Sequence, residues 1–110
     1  MTDDCIVSSH VLDAASGRPA AGVRLTLLRR EGDGRFAAVR SGATDADGRV
    51  ADWHTLPGLH RLRFDTGDWF AAQDIATFYP EVEVAFHVAE GRYHVPLLLS
   101  PFAYSTYRGS

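Results

Sequence analysis

From Tyr93 to Ser100 the chain alternates. Tyr93, Val95, Leu97 and Leu99 fall on one parity, and His94, Pro96, Leu98 and Ser100 on the other. Successive side chains of a strand point to opposite faces, so the first set makes an apolar face suited to a core. The second set carries an imidazole and a hydroxyl. After Ser100-Pro101 the period resumes, with Tyr104 and Thr106 opposite Ser105 and Tyr107. The same pattern opens the chain: Val7, Ser9 and Val11 share one face over Ile6 to Leu12, and Ile6, Ser8, His10 and Leu12 the other. Further strands are predicted over Gly22 to Arg30, with Val23, Leu25 and Leu27 inward, and over Phe36 to Gly42 and Arg49 to Trp53. Leu59 to Thr66 places Leu62 and Phe64 opposite Arg61, Arg63 and Asp65, and Pro80 opens a strand with Val82, Val84, Phe86 and Val88 on one face.

The gaps carry turn chemistry. Asp13 through Pro19, Glu31 to Gly34, Thr44 to Gly48, His54 to Gly58 and Glu90-Gly91 are rich in Gly, Pro and Asp, residues that supply or tolerate the backbone angles reversals need. Gly67 to Ala76 breaks the two-residue period. There Phe70, Ala71 and Ile75 recur at helical spacing behind Asp68 as a cap, which predicts a short helix. About eight short strands, one short helix and turns roughly every ten residues describe an all-β chain, a β-sandwich. The whole chain, residues 1–110, reads as one domain, long enough to bury roughly 60–70% of its unfolded surface.

Charge narrows the partners. A net charge of −3 without a Lys/Arg cluster argues against a nucleic-acid surface. No apolar run approaches the roughly 20 residues of a membrane span, and the acidic Met1-Thr-Asp-Asp4 start has no basic region followed by an apolar one. A cytoplasmic protein is expected. The single cysteine, Cys5, shares parity with Val7 and Val11 and reads as a small buried hydrophobe.

Three groups lie off the predicted core: His10, His94, and Arg49 directly after the Asp47-Gly48 turn. A lone strand histidine is usually a surface group. Around His94, however, Pro96 and Leu98 would be left wet in a monomer, and an apolar patch of that kind meets a partner. Two histidines and an arginine at its edge would make a water-poor site. His54, His60 and His87 are expected at the surface. No Cys-x-x-Cys or His-x-x-x-His spacing occurs, so no metal site is expected; nor is a Gly-rich phosphate loop or a serine nucleophile elbow present.

Ser9-His-Val-Leu-Asp13, Gly17-Arg-Pro-Ala20, Thr44-Asp-Ala-Asp-Gly-Arg49, Phe64-Asp-Thr66, Phe78-Tyr-Pro80, Tyr93-His-Val-Pro-Leu-Leu-Leu-Ser-Pro101 and the terminal Tyr107-Arg-Gly-Ser110 together resemble the 5-hydroxyisourate hydrolases, the transthyretin-related family of urate breakdown. The resemblance spans nearly the whole chain. Its most specific piece is the terminal Tyr-Arg-Gly-Ser, which the hormone carrier transthyretin lacks; the carrier also has other residue types at the places of His10, Arg49 and His94. It implies a transthyretin-like sandwich of seven to eight strands, assembled as a homotetramer, a dimer of dimers, with active sites opening from a channel between dimers. It implies no cofactor. The reaction would open the cyclic amide of 5-hydroxyisourate to give 2-oxo-4-hydroxy-4-carboxy-5-ureidoimidazoline.

On that resemblance His10, Arg49, His94 and Ser110 would be catalytic. Tyr107, Arg108, Gly109, Leu12, Pro96, Leu98 and Ser105 would bind substrate or shape the walls. Water activation would fall to one histidine, either His94 or His10, and oxyanion or substrate anchoring to Arg49. The competing class is a transthyretin-like carrier holding a small aromatic ligand without turnover. A plain structural sandwich stands third.

Overall fold

A computed structural model describes residues 5–110; the acidic start that bears on a leader segment lies outside the described residues. Alternation becomes strand throughout. The elements in chain order are β1 (Cys5–Asp13), β2 (Arg18–Pro19), β3 (Arg24–Arg30), β4 (Phe36–Ala43), β5 (Arg49–Thr55), β6 (Gly58–Phe64), α1 (Thr66–Ala71), β7 (Val82–Val88), β8 (Gly91–Ser100) and β9 (Ala103–Thr106). Eight of these strands are the expected ones. The ninth, β2, is a two-residue pairing of Arg18 and Pro19 with Asp13 and Leu12, inside the segment expected as a loop.

Two sheets face each other. One places β1 between β8 and β5, with β2 beyond the end of β5 and β9 outside β8; the other runs β4-β3-β6-β7. β1 and β8 run parallel in unbroken register from Cys5↔Gly91 to Asp13↔Leu99. Between the sheets lie Val7, Val11, Leu25, Leu27, Leu62, Phe64, Leu97 and Leu99, none more than 1% exposed. Apolar surface removed from water on this scale is the main stabilising term of the fold. Cys5 is fully buried, as its parity predicts.

Three local expectations are corrected. The helix is shorter, spans Thr66–Ala71 and starts after Asp65; Asp68 lies in its first turn rather than at the cap. Only Thr66 and Phe70 of the helix are buried, so Ala71 and Ile75 lie outside the core. Pro96 is buried instead of wet, flanked by His10 across the ladder and by Thr106, whose Oγ1 donates to the Pro96 carbonyl at 2.7 Å. His60 is fully buried rather than at the surface, because two hydrogen bonds satisfy its ring: Thr55 Oγ1 to Nε2 at 2.8 Å and Nδ1 to the Gly58 carbonyl at 3.0 Å. Among the described residues no helix is long and apolar enough to cross a membrane.

Candidate active site

The outer face of the β1–β8 sheet carries the candidate groups, and register sets their order. Ser8 lies opposite His94, His10 opposite Pro96, and Leu12 opposite Leu98. On the other edge of β1, His10 pairs with Arg49, and beyond β8 Leu98 pairs with Ser105. Residues directly opposite share a face, so the backbone alone delivers Arg49, His10 and Pro96 as one row. Ser8, His94 and the terminal segment form the next row, because His94 makes an isolated antiparallel bridge with Gly109.

Arg49 is placed by the turn before it. Asp45 Oδ1 accepts the backbone N–H groups of Asp47 and Arg49, at 2.9 and 3.0 Å. Gly48 has φ +76°, and a Cβ there would stand 2.5 Å from the Val11 carbonyl oxygen. Only glycine allows that approach, and the Gly48 carbonyl in turn accepts the Val11 N–H at 2.7 Å. The Asp-Ala-Asp-Gly sequence thereby docks β5 on β1 with Arg49 outward.

Strict alternation would then put Trp53 outward with Arg49. A register shift between Val7 and Ser9 prevents this, since Val7 pairs with Trp53 and Ser9 with Val50. The extra residue is accommodated with Asp52 at φ +58°, a left-handed conformation that Asp tolerates better than most residues. Val50 and Trp53 both reach the core as a result. The bulge lies opposite Ser8, where the outer face leaves room beside the ladder.

That room is a cleft of about 360 Å³ whose walls include Ser8, Arg49, Ala51, Arg92, His94 and Ser110. Arg49, His94 and Ser110 are therefore brought together. Tyr107 and Arg108 line a second cleft of about 270 Å³, which shares Tyr93 and His94 with the first. The Arg108 guanidinium lies 4.7 Å from the centre of the Tyr93 ring. Gly109 donates its N–H to the His94 carbonyl at 2.8 Å. His10 stands beside Arg49 and His94 without lining either cleft; Leu12 and Leu98 are half-buried and Ser105 exposed in the next row along. Among the described residues no three His, Cys, Asp or Glu side chains gather as a metal cluster would require.

One member escaped the sequence reading. Ser8 Oγ lies 2.8 Å from His94 Nδ1. Its signal was its parity, two residues from His10 on the same face. The His94 ring is held below the ordinary imidazole range, first by burial, then by the charge of Arg49 and by the neighbouring His10 ring. It is thus a neutral base at pH 7, beside a guanidinium that is always charged.

The fold and sequence have named relatives. A 5-hydroxyisourate hydrolase of Salmonella dublin is 44% identical, over 96% of this chain and 81% of its own length. One of Mus musculus is 41% identical, over 99% and 98%. Among solved structures, the 5-hydroxyisourate hydrolase of Klebsiella pneumoniae superposes with a TM-score of 0.87 at 34% identity, covering 96% of this chain and 99% of that one. Transthyretin from Sparus aurata reaches 0.89 at 33% identity, covering 94% and 95%. The family model described as HIUase/Transthyretin matches residues 7–109, nearly the whole two-sheet sandwich and its outer-face site, and the chain belongs to the HIUase/Transthyretin family.

Proposed function

We propose that this chain hydrolyses 5-hydroxyisourate, with His94 as the general base and Arg49 as the oxyanion partner. The observation that carries the reading is one cleft holding a neutral imidazole, a guanidinium and the terminal Ser110. The relatives named 5-hydroxyisourate hydrolase support the substrate.

The step balances with water alone. His94 takes a proton from water, and the water oxygen bonds to the electrophilic ring carbonyl. The oxyanion formed there is met by Arg49, a planar donor suited to developing negative charge. The C–N bond of the cyclic amide then breaks, and the ring nitrogen leaves with the proton that His94 returns. His10 acts beside Arg49 as a second polar wall. Tyr107, Arg108 and Gly109 hold the terminal segment against β8 so that Ser110 reaches the substrate. Pro96 backs His10 within its own row, and Leu12, Leu98 and Ser105 extend the wall beyond it.

The working assembly is a homotetramer, a dimer of dimers whose outer faces meet across a channel. The half-buried Leu98 and the exposed Tyr107 on this side of the molecule support that arrangement. Its compartment is the cytoplasm, where a single buried cysteine needs no oxidising environment.

The test is the ultraviolet decay of 5-hydroxyisourate, freshly generated by urate oxidase, with and without the protein. Accelerated decay to one stereoisomer of product is expected. Decay at the spontaneous rate, from protein that elutes as a tetramer, would instead favour a carrier of small aromatic ligands.

A further inference from the structure

We propose that Ser8 is the positioning residue of this site: its hydroxyl accepts the Nδ1–H of His94 and, with Gly109 closing the Cδ2 edge of the ring, leaves the Nε2 lone pair as the base. The inference rests on the hydrolase reading above and assigns the atom that takes the proton.

The geometry is set by backbone before any side chain chooses a rotamer. Ser8 and His94 are directly paired in the parallel β1–β8 ladder, so both project from the outer face. Their side chains meet at 2.8 Å through Oγ and Nδ1. The neighbouring serine shows that this is a matter of parity. Ser9 points inward, is fully buried, and donates to the Val95 carbonyl at 2.7 Å. One hydroxyl of the pair serves the core and the other serves the site.

Gly109 fixes the other side of the ring. Its N–H donates to the His94 carbonyl at 2.8 Å, which holds it against the edge of the imidazole. A Cβ at that position would stand 2.5 Å from His94 Cδ2 and 3.2 Å from Cγ. Only a residue without a side chain leaves the ring where it is. The imidazole is thus located by its own backbone, by Ser8 at Nδ1 and by Gly109 at Cδ2. Nε2 has no hydrogen-bond partner among the described residues.

Chemistry then selects the tautomer. A neutral imidazole has one N–H and one lone pair, and a serine hydroxyl can turn either its proton or a lone pair toward Nδ1. If it donated, Nε2 would carry the hydrogen and could take none from water. If it accepts, Nε2 is free. The same oxygen then stabilises the imidazolium formed in the step, because both ring nitrogens are donors in that state. The hydrogen bond to one nitrogen decides which proton the other can carry.

The experiment compares Ser8→Ala and Ser8→Thr with wild type, by kcat/KM against pH and by long-range proton–nitrogen NMR of the His94 ring. Wild type should show the Nδ1–H tautomer. In Ser8→Ala the Nδ1–H signature should be lost, and kcat/KM should fall on the order of 10- to 100-fold, the scale known for removing the outer partner of a metal-bound imidazole. The acid limb of its rate profile should move to lower pH, because the imidazolium loses its acceptor. Ser8→Thr keeps the hydroxyl and should restore all three. Ser8→Ala with a wild-type rate, or with the Nδ1–H signature intact, overturns the proposal. The NMR arm needs no substrate, so it decides the role of Ser8 even if wild type proves inert toward 5-hydroxyisourate and the hydrolase reading falls.

Discussion

His60 and His94 are both held below the ordinary imidazole range, and burial is the leading cause at each. They nevertheless occupy regions of opposite character. Thr55 ends β5 in one sheet and His60 lies on β6 in the other, so their 2.8 Å bond crosses the sandwich. Arg29 buttresses this corner by donating Nε and Nη2 to the Pro57 carbonyl, at 3.0 and 2.7 Å. Phe86 stacks on the His60 ring at 5.9 Å between centroids. His94 faces outward, half-buried, with Ser8 on one nitrogen. Burial alone therefore does not mark a catalytic histidine. What separates the two is how many ring nitrogens the fold consumes: both in His60, one in His94.

The largest test of that contrast is a pair of alanine substitutions. His94→Ala removes the proposed base and should lower kcat by roughly 10²–10⁴-fold, the usual contribution of a general base, with thermal unfolding and elution volume kept. His60→Ala should do the reverse, lowering the unfolding temperature while the rate per folded molecule is retained. Steady-state kinetics beside calorimetry on both variants checks the pair. Wild-type turnover in His94→Ala would remove the role given to it.

Gly109→Ala is a subtler break. The added Cβ collides with the His94 ring 2.5 Å away, so the imidazole must shift while every titrating group remains. Misplacement of about 1 Å can cost on the order of 10²-fold, and a loss of that size in kcat, with KM less affected, is the expected outcome. A variant that keeps full rate would mean the ring has slack, and that Gly109 serves only the chain path.

Much of this arrangement was legible in alternation. The parity of Val7, Ser9 and Val11 against Ser8 and His10, and of Val95, Leu97 and Leu99 against His94, is the parity of the structure. Strand patterning works here because each sheet has one face on the core. It fails where the period is interrupted. The bulge at Ala51-Asp52 cannot be seen from Arg49 to Trp53 alone, since unbroken alternation would place Arg49 and Trp53 together. His60 was equally hidden: a histidine becomes a core residue only when partners meet both nitrogens, and Thr55 and Gly58 do so only after the chain has turned between sheets. Pro96 is covered by His10 and Thr106, neighbours in space that its own strand does not name.

The smallest expected effect, and the sharpest on the comparison, is in pH. For His60 the folded state disfavours the charged ring through burial and the nearby Arg29, and the Gly58 hydrogen bond only partly offsets them. Among the described residues the charged group that acts on His60 is Arg29, which disfavours a protonated ring. The unfolded chain takes up a proton at about pH 6.5 while the folded chain does not. Stability is therefore complete above that value and declines as pH falls toward the lower folded-state pKa, by at most about 1.4 kcal/mol per pH unit for one proton. His60→Leu leaves Thr55 Oγ1 unpaired and should lower stability by about 1–3 kcal/mol at every pH, yet flatten that decline. The rate profile answers to the other histidine. Because His94 too is held down, wild-type kcat/KM should stay level through neutrality and fall only below about pH 6.5, and His60→Leu should leave that limb in place. Urea unfolding from pH 5 to 8, with kinetics over the same range, measures both curves. If His60→Leu moved the rate limb, or kept the wild-type stability slope, the division of labour between the two histidines would fall.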